Sequence, residues 1–529
     1  MNQLYYGDNL HVLREHLATE SVDLIYLDPP FNSKRDYNLL FKSPKGQSSE
    51  AQIEAFKDSW HWGEQAEREF DELLHQKNTQ LAGVMRALRD FLGQNDMMAY
   101  LTMMANRLLE LHRVLRPTGS LYLHCDPTAS HYLKVVLDGV FGVDCYRNEI
   151  IWKRSNPKSL GSINFPTCTD TIFRYTKTDN CTFHQPFAAH DPDYVESAYR
   201  YSDERGRYRL LPLLNPNDNR PNLTYEFLGV TRVWRWTRER MEQALADGLI
   251  VQTKPGAVPQ YKKHLEDSKG RTVTNVWMDI EQAAGNEALG YPTQKPLALL
   301  ERIISASSNE GDAVLDPFCG CGTAVHAAQK LKRKWLGIDI THLAISLIEK
   351  RLKDAFGKRC KYEVHGTPRD LDAARDLARR DKYQFQWWAV SLVEAQPFQG
   401  KKKGADGGID GVKFFHDVDK HGSRKIVVSV KSGGLKADDV RALNHVRERE
   451  GAEIALFISL EAPTRGMIGD AASAGFYESP NGKKFPRVQL LTIGDLLAGK
   501  ARAEHPDYEP DLNFKKAKQE SNAAQKSLL

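Results

Sequence analysis

Apolar positions along the chain fall into stretches of different rhythm. The first, residues 1–40, opens with LYY, runs helix-like to about residue 20, and continues as VDLIYLD before stopping at PPFNS. A short, nearly uninterrupted apolar run halted by two prolines predicts a buried parallel strand ending in a rigid loop. Residues 44–95 are polar and mixed, and predict a helical or loop insertion. From Met97 the apolar spacing is helical through Leu101, Met104, Leu108, Leu111 and Leu115; RPTG then predicts a turn and SLYLHCD a strand. The methionines on that helix read as core packing.

Over about 150–285 the rhythm weakens, and Arg, Lys, Trp and Tyr interleave with Asn-Pro turns, as in WKRSNPKS and TRVWRWTRER. This reads either as a β-rich insert with a solvated basic face or as a nucleic-acid surface, since cations among aromatics suit phosphate contact and base stacking. Residues 291–356 return to α/β order: a helix in YPTQKPLALLERIISAS, a strand in AVLD, a glycine loop in PFCGCGT, a helix in AVHAAQKLKR and a strand in WLGID. A charged helical connector at 361–385 leads to a separate α/β module at 386–500. The polar, lysine-containing tail at 501–529 is expected to be disordered.

Composition bounds this picture without redirecting it. The 529 residues suffice for two or three domains, and 41% hydrophobic with 27% charged is ordinary for a folded protein. A net charge of +4 neither demands nor excludes a polyanionic partner. The seven cysteines form no CxxC pair, so neither a structural zinc site nor a disulfide framework is expected, and no metal site is assigned. With no basic, apolar leader in MNQLYYGDNL and no run of eighteen apolar residues, a cytoplasmic chain without membrane contact is expected.

The loop Asp316 to Thr323 follows an apolar strand and opens a helix. Gly320 and Gly322 let the backbone turn sharply and approach a ligand, and Asp339 ends the next strand, where an acid can bond ribose hydroxyls. The loop has no GK[ST] and is not GxGxxG, which argues against a triphosphate or a dinucleotide. S-adenosyl-L-methionine fits better, with Thr323 as a partner for its carboxylate.

The second loop, Asp28-Pro29-Pro30-Phe31, closes another predicted parallel strand, and ligands of doubly wound sheets lie beyond such ends. An exocyclic base amine is a poor nucleophile because its lone pair is delocalised. A carboxylate at Asp28 and the Pro29 carbonyl could accept its two hydrogens and let the nitrogen pyramidalise. Phe31 could stack on the extruded base. Transfer of a methyl group then needs positioning and electrostatics alone.

Taken together, DPPFNS, the basic middle, YPTQKP and DPFCGCGT resemble the β-class amino-methyltransferases of DNA, in the permuted order with the catalytic half first. The resemblance covers roughly residues 1–356. It implies a Rossmann-like α/β methyltransferase domain with a catalytic half at 1–150 (insert 44–95), a target-recognition region at 151–285 and a cofactor-binding half at 286–360. Asp28, Pro29, Pro30 and Phe31 would form the target-base site. Asp316, Phe318, Gly320, Gly322 and Thr323 would form the methionine loop, with Asp339 on the ribose. Asp8 matches an acid near the cofactor adenine, and Thr293 and Lys295 fall in a cofactor-side motif. Cys321 stands where the family usually has serine. DPPF favours N6 of adenine over N4 of cytosine, which stays the alternative. Implied partners are double-stranded DNA, with a homodimer and a separate restriction or defence subunit left open, in a prokaryotic or phage setting.

FQGKKKGADGGIDG followed by KIVVSVK resembles Mrr-type restriction endonuclease-like domains of the PD-(D/E)xK class. Asp410 and Lys431 match, but Ser429 stands where a Glu or Gln would hold the metal, so Mg2+ is expected only if this module cuts. The alternative reading is a bifunctional restriction-modification enzyme. A third, a DNA-binding protein on a worn methyltransferase fold, is disfavoured by the intact DPPF and glycine loops.

Overall fold

A computed structural model describes residues 1–30, 36–42, 48–57, 61–156, 163, 165–285, 287–289, 291, 293–398, 408–417, 423–506 and 517–520. Strand β1 (Asn2–Tyr6) leads through α1 (Asn9–His16) to β2 (Val22–Leu27). Only Asp23 of β2 is not buried, which is the pattern of a strand covered on both faces. Pro29 and Pro30 then offer no amide hydrogens, and the ladder ends at Leu27, one residue before Asp28. Helix α2 (Asp96–Val114) starts where the Asn95 side chain accepts the Met98 amide at 2.9 Å, and its methionine and leucine stripe is core. The RPTG segment is not a turn. It lies inside β3 (Leu115–Cys125), where a register shift against β2 between Val22 and Leu24 absorbs the extra residues.

The domain continues through α3 (Ser130–Phe141), β4 (Tyr146–Lys153), β5 (Thr169–Thr176), β6 (Val276–Trp277) and α4 (Leu297–Ser307). It closes with β7 (Ala313–Asp316), α5 (Thr323–Lys330), β8 (Lys334–Asp339), α6 (His342–Phe356) and β9 (Tyr362–His365). The nine strands order as β6-β4-β5-β3-β2-β7-β8-β1-β9. All neighbours from β3 to β9 pair in parallel, and β5 runs antiparallel to both β3 and β4. From β2 the chain winds outward to β3, whereas from β7 it winds the other way to β8. The switch point therefore lies between β2 and β7, where such sheets open a crevice at their carboxyl ends. Within the 44–95 insert, helices at Glu64–Leu74 and Thr79–Leu92 bury Phe70, Leu73, Leu81 and Met85 in the core that α2 shares.

The middle region divides differently from the expected 151–285. Strands β4 and β5 belong to the large sheet, and the separate compact unit is Gln185–Thr274. Sequence rhythm missed β5 because Asp170 and Arg174 interrupt its apolar run, although both are buried. The unit at Gln185–Thr274 has its own small core of Leu213, Phe227, Trp234, Met241, Ala244 and Ile250.

The carboxyl-terminal module starts earlier than residue 386. Helices α7 (Leu371–Arg380) and α8 (Lys382–Ser391) contribute Ala374, Leu377, Phe385 and Trp388 to its core, so the expected connector is part of the module. Its sheet comprises β10 (Gln396–Pro397), β11 (Gly411–Phe415), β12 (Arg424–Lys431), β13 (Ile454–Ser459) and β14 (Val488–Thr492), in that order. Helices α9 (Ala437–Arg449) and α10 (Arg465–Ser473) provide its second layer. The tail is not wholly free: Glu504 exchanges hydrogen bonds with Gln489, and residues 517–520 bond the methyltransferase half. No helix among the described residues is long and apolar enough to cross a membrane.

Candidate active site

Four acidic positions share one edge because the strands that deliver them are parallel neighbours. Asp8 follows β1, Asp28 follows β2, and Asp316 and Asp339 end β7 and β8. Asp28 is paired through Oδ2 with Nζ of Lys295 at 2.5 Å, and both side chains are mostly buried. The other carboxylate oxygen, Oδ1, is buried and has no hydrogen-bond partner among the described residues. An unmade bond at a buried acceptor costs about 1–3 kcal/mol, and at this strand end, where the sheet opens its crevice, a ligand donor would relieve that cost. Lys295, expected on the cofactor side, is thus the counter-ion of the target-base loop. Pro29 is buried and Pro30 half-buried; Phe31 lies outside the described residues.

A polar chain runs beneath this loop. The Tyr26 hydroxyl lies 2.9 Å from Nδ1 of His124, whose Nε2 lies 3.1 Å from Asp170 Oδ2. Asp170 Oδ1 is 3.0 Å from the Arg154 guanidinium. Tyr26, His124 and Asp170 are essentially sealed from solvent. Burial and the nearby Lys295 ammonium hold His124 below its ordinary range. Sequence reasoning missed this group; the only hint was a histidine in the apolar strand SLYLHCD.

The glycine loop is held from two sides. Gly320 (φ +49°) and Gly322 (φ +75°) are left-handed, and a Cβ on Gly322 would stand 2.7 Å from Cγ1 of Ile348. Asp339 accepts the Gly320 amide at 2.9 Å through Oδ2, and the Thr341 amide and hydroxyl through Oδ1. Burial, against these hydrogen bonds, moves its carboxyl up to about 6. Asp316 accepts the Phe318 amide at 3.1 Å, and burial with Asp28 and Asp339 nearby pushes it well above the usual carboxylate range. On the other side Arg351, buried on α6, donates to the Cys321 carbonyl at 3.2 Å and to the Thr323 hydroxyl at 3.1 Å. Cys319 and Cys321 are buried free thiols. Arg351 Nε also reaches His326, whose Nε2 lies 3.2 Å from Glu520 of the tail.

Asp8 is occupied with structure: it caps α1 through the Leu10 and His11 amides and pairs with Arg107 at 2.7 Å. Thr293 sits half-buried in the turn before α4. Next to it Gln294 ties the approach to that helix by accepting the Leu289 amide and donating to the Glu287 carbonyl.

Two predictions arise from the loop. Arg351→Met removes the donors that bridge Cys321 and Thr323, and weakens S-adenosyl-L-methionine binding by about tenfold while saturating cofactor restores turnover. Calorimetric titration beside steady-state kinetics checks this. Asp339 has its carboxyl raised to about 6, so it is ionised above that pH and becomes a hydrogen donor below it. Protonation forfeits the charge-assisted bond from Gly320. Cofactor affinity is therefore flat above neutrality and falls as pH drops through about 6, a profile that Asp339→Asn abolishes.

In the carboxyl-terminal module, Asp410 Oδ2 accepts the Val430 amide at 2.6 Å and the Ser429 hydroxyl at 3.3 Å. Lys431 lies 3.4 Å from Asp439. The hairpin thus brings Asp410 and Ser429 together, with a hydroxyl in place of a second ligand carbonyl or carboxylate, while Lys431, two residues further along β12, pairs with α9. The lysine run at 401–404 lies outside the described residues.

A parallel sheet with a DPP strand end beside a glycine loop lacking any P-loop lysine defines the class of Rossmann-like methyltransferases. The DNA methylase family profile matches residues 22–350, more than half the chain, and the chain belongs to that family. The family's methyl donor is S-adenosyl-L-methionine, and the glycine loop with its flanking acids fits it. A restriction endonuclease profile matches residues 377–492, which includes the last turn of α7 and all of α8. Among curated relatives, the type II methyltransferase M.EcaI of Enterobacter cloacae is 32% identical over 259 residues, covering 48% of this chain and 57% of that protein. The Mod subunit of the type III restriction-modification enzyme StyLTI of Salmonella typhimurium is 27% identical over 350 residues, covering 62% and 50% respectively. The DNA adenine methyltransferase YhdJ of Escherichia coli is 24% identical over 350 residues, covering 66% and 82%. The match to the first two spans about half of their length.

Proposed function

We propose that the chain methylates N6 of adenine in double-stranded DNA as part of a restriction-modification system. The observation that carries this reading is the buried Oδ1 of Asp28 at the sheet switch point, without a partner among the described residues and beside an oxygen already neutralised by Lys295. When bound, S-adenosyl-L-methionine supplies an electrophilic methyl group on sulfur. Asp28 Oδ1 accepts one amino hydrogen of an extruded base, and the Pro29 carbonyl is the complementary acceptor for the other. The nitrogen lone pair would thereby be freed and aimed at the methyl group that the bound cofactor would supply, the S–C electron pair staying with sulfur, and the surplus amino proton would pass to Asp28 Oδ1 and on to solvent. Lys295 fixes the carboxylate without competing for Oδ1, and the two prolines keep the acceptor geometry from relaxing. DPPF at Asp28–Phe31 and the name of the Escherichia coli relative favour adenine over cytosine. Nucleoside mass spectrometry on DNA from a bacterial host lacking its own adenine methylation tests this. New 6-methyladenine on expression supports it, and 4-methylcytosine instead transfers the reading to cytosine.

The carboxyl-terminal module engages DNA without cutting it through the Asp410 site. Ser429 offers only a neutral hydroxyl, and that hydroxyl is spent on Asp410 itself. The expected outcome with Mg2+ or Mn2+ is intact unmethylated plasmid on a gel. Metal-dependent nicking that disappears in Asp410→Ala establishes the bifunctional enzyme instead.

A further inference from the structure

Tyr26 stands two residues before Asp28, the same-face spacing of a strand, and Leu27 pairs with Leu123, so the row of Asp28 continues into His124 on β3. Tyr26 is 2% exposed and His124 is fully buried, so the phenol hydrogen has few possible acceptors. The Asp28 carboxylate is near enough to act on the Tyr26 phenol through space, so a hydroxyl hydrogen turned toward it competes for the oxygen that methyl transfer needs.

We propose that Asp170 and His124 are positioning residues for the reaction argued above: they commit the Tyr26 hydroxyl hydrogen to His124, and so keep Oδ1 of Asp28 open to the substrate amine. An ionised carboxylate can only accept, so Asp170 requires a hydrogen on His124 Nε2. A neutral imidazole carrying its hydrogen there presents Nδ1 as an acceptor, and the Tyr26 hydroxyl, 2.9 Å away, is the donor. Arg154 at 3.0 Å anchors the charge at the far end. Burial opposes charge on Asp170, but the His124 hydrogen bond with Lys295 and Arg154 outweighs it and holds the carboxyl below its usual range. The tautomer of one buried histidine thereby sets the direction of a hydroxyl beside the target-base loop.

Because this inference rests on the proposed methyl transfer, its first readout is independent of activity. Heteronuclear NMR on isotope-labelled histidines of the full chain, with His124 assigned by its loss in His124→Gln, reports the tautomer. A hydrogen on Nε2 is the expected result; a hydrogen on Nδ1, or on both nitrogens, at neutral pH overturns the proposal. The second readout is a rescue. Asp170→Asn can donate to Nε2, inverts the tautomer and releases the Tyr26 hydrogen, so methyl transfer slows by about tenfold or more while cofactor affinity holds within about twofold. Tyr26→Phe has no hydrogen to misdirect and stays within about threefold of the parent; placed in the Asp170→Asn background it restores most of the lost rate. A double variant as slow as Asp170→Asn overturns the proposal, since a merely structural role gives no rescue. Should Asp170→Asn not fold, the parent tautomer and the Tyr26→Phe rate decide, and a Tyr26→Phe slower by more than about tenfold counts against it. A parent protein that transfers no methyl group to DNA defeats the proposed function and leaves the tautomer to be judged separately.

Discussion

Asp28→Asn lowers methyl transfer by about three orders of magnitude or more while S-adenosyl-L-methionine binds within about threefold of normal. The substitution keeps shape but changes chemistry. An asparagine amide directs either its oxygen or its NH2 at Lys295; with the oxygen so used, the NH2 faces the base amine, donor against donor. With the amide reversed, the NH2 faces an ammonium and the charge pairing is lost. Neither orientation reproduces an anion that neutralises Lys295 through Oδ2 and accepts an amino hydrogen through Oδ1. The residues proposed to hold the cofactor, Gly320, Thr323 and Asp339, lie in the loop after β7, on α5 and at the end of β8, and the substitution leaves them untouched. Stopped-flow or single-turnover transfer beside calorimetric binding separates the two effects, and a variant of near-normal rate contradicts the assignment of Asp28.

Lys295→Met has the second large effect, and it falls on stability as well as rate. Removing one partner of a buried ion pair leaves the other charge unpaired, at a cost of about 3–5 kcal/mol, toward the lower end here because the pair is not wholly sealed. Lys295 also lies near His124 and Asp170, so its charge is shared across the base of the site. Chemical denaturation measures the loss. The double variant Asp28→Asn with Lys295→Met recovers much of that stability without recovering activity, because no stranded charge remains.

The two loops were legible in the sequence because each depends on local chemistry. A proline pair that follows an apolar strand and two glycines spaced one apart before a helix are local signals, and both predictions match β2 and the Gly320–Gly322 loop. RPTG misled because a register shift in β3 can absorb a proline and a glycine that elsewhere make a turn. The amphipathic α7 reads as a charged connector, since only packing reveals that Ala374 and Leu377 have a core to face. Lys295 was visible as a residue but not as the partner of Asp28, 267 positions away. Tyr26, His124, Asp170 and Arg351 were hidden for the same reason: a buried polar group is defined by its partners, and those come from β3, β5 and α6. Asp8 resembles a cofactor acid by motif, while its geometry shows a helix cap and an Arg107 partner.

The measurement that tests the central claim most directly is transfer of labelled methyl from S-adenosyl-L-methionine to unmethylated bacterial DNA by the purified chain and by Asp28→Asn, followed by digestion to nucleosides. The account predicts label in 6-methyladenine with the parent protein and none above background with the variant. Cofactor binding without any label on DNA, or equal labelling by both proteins, contradicts it.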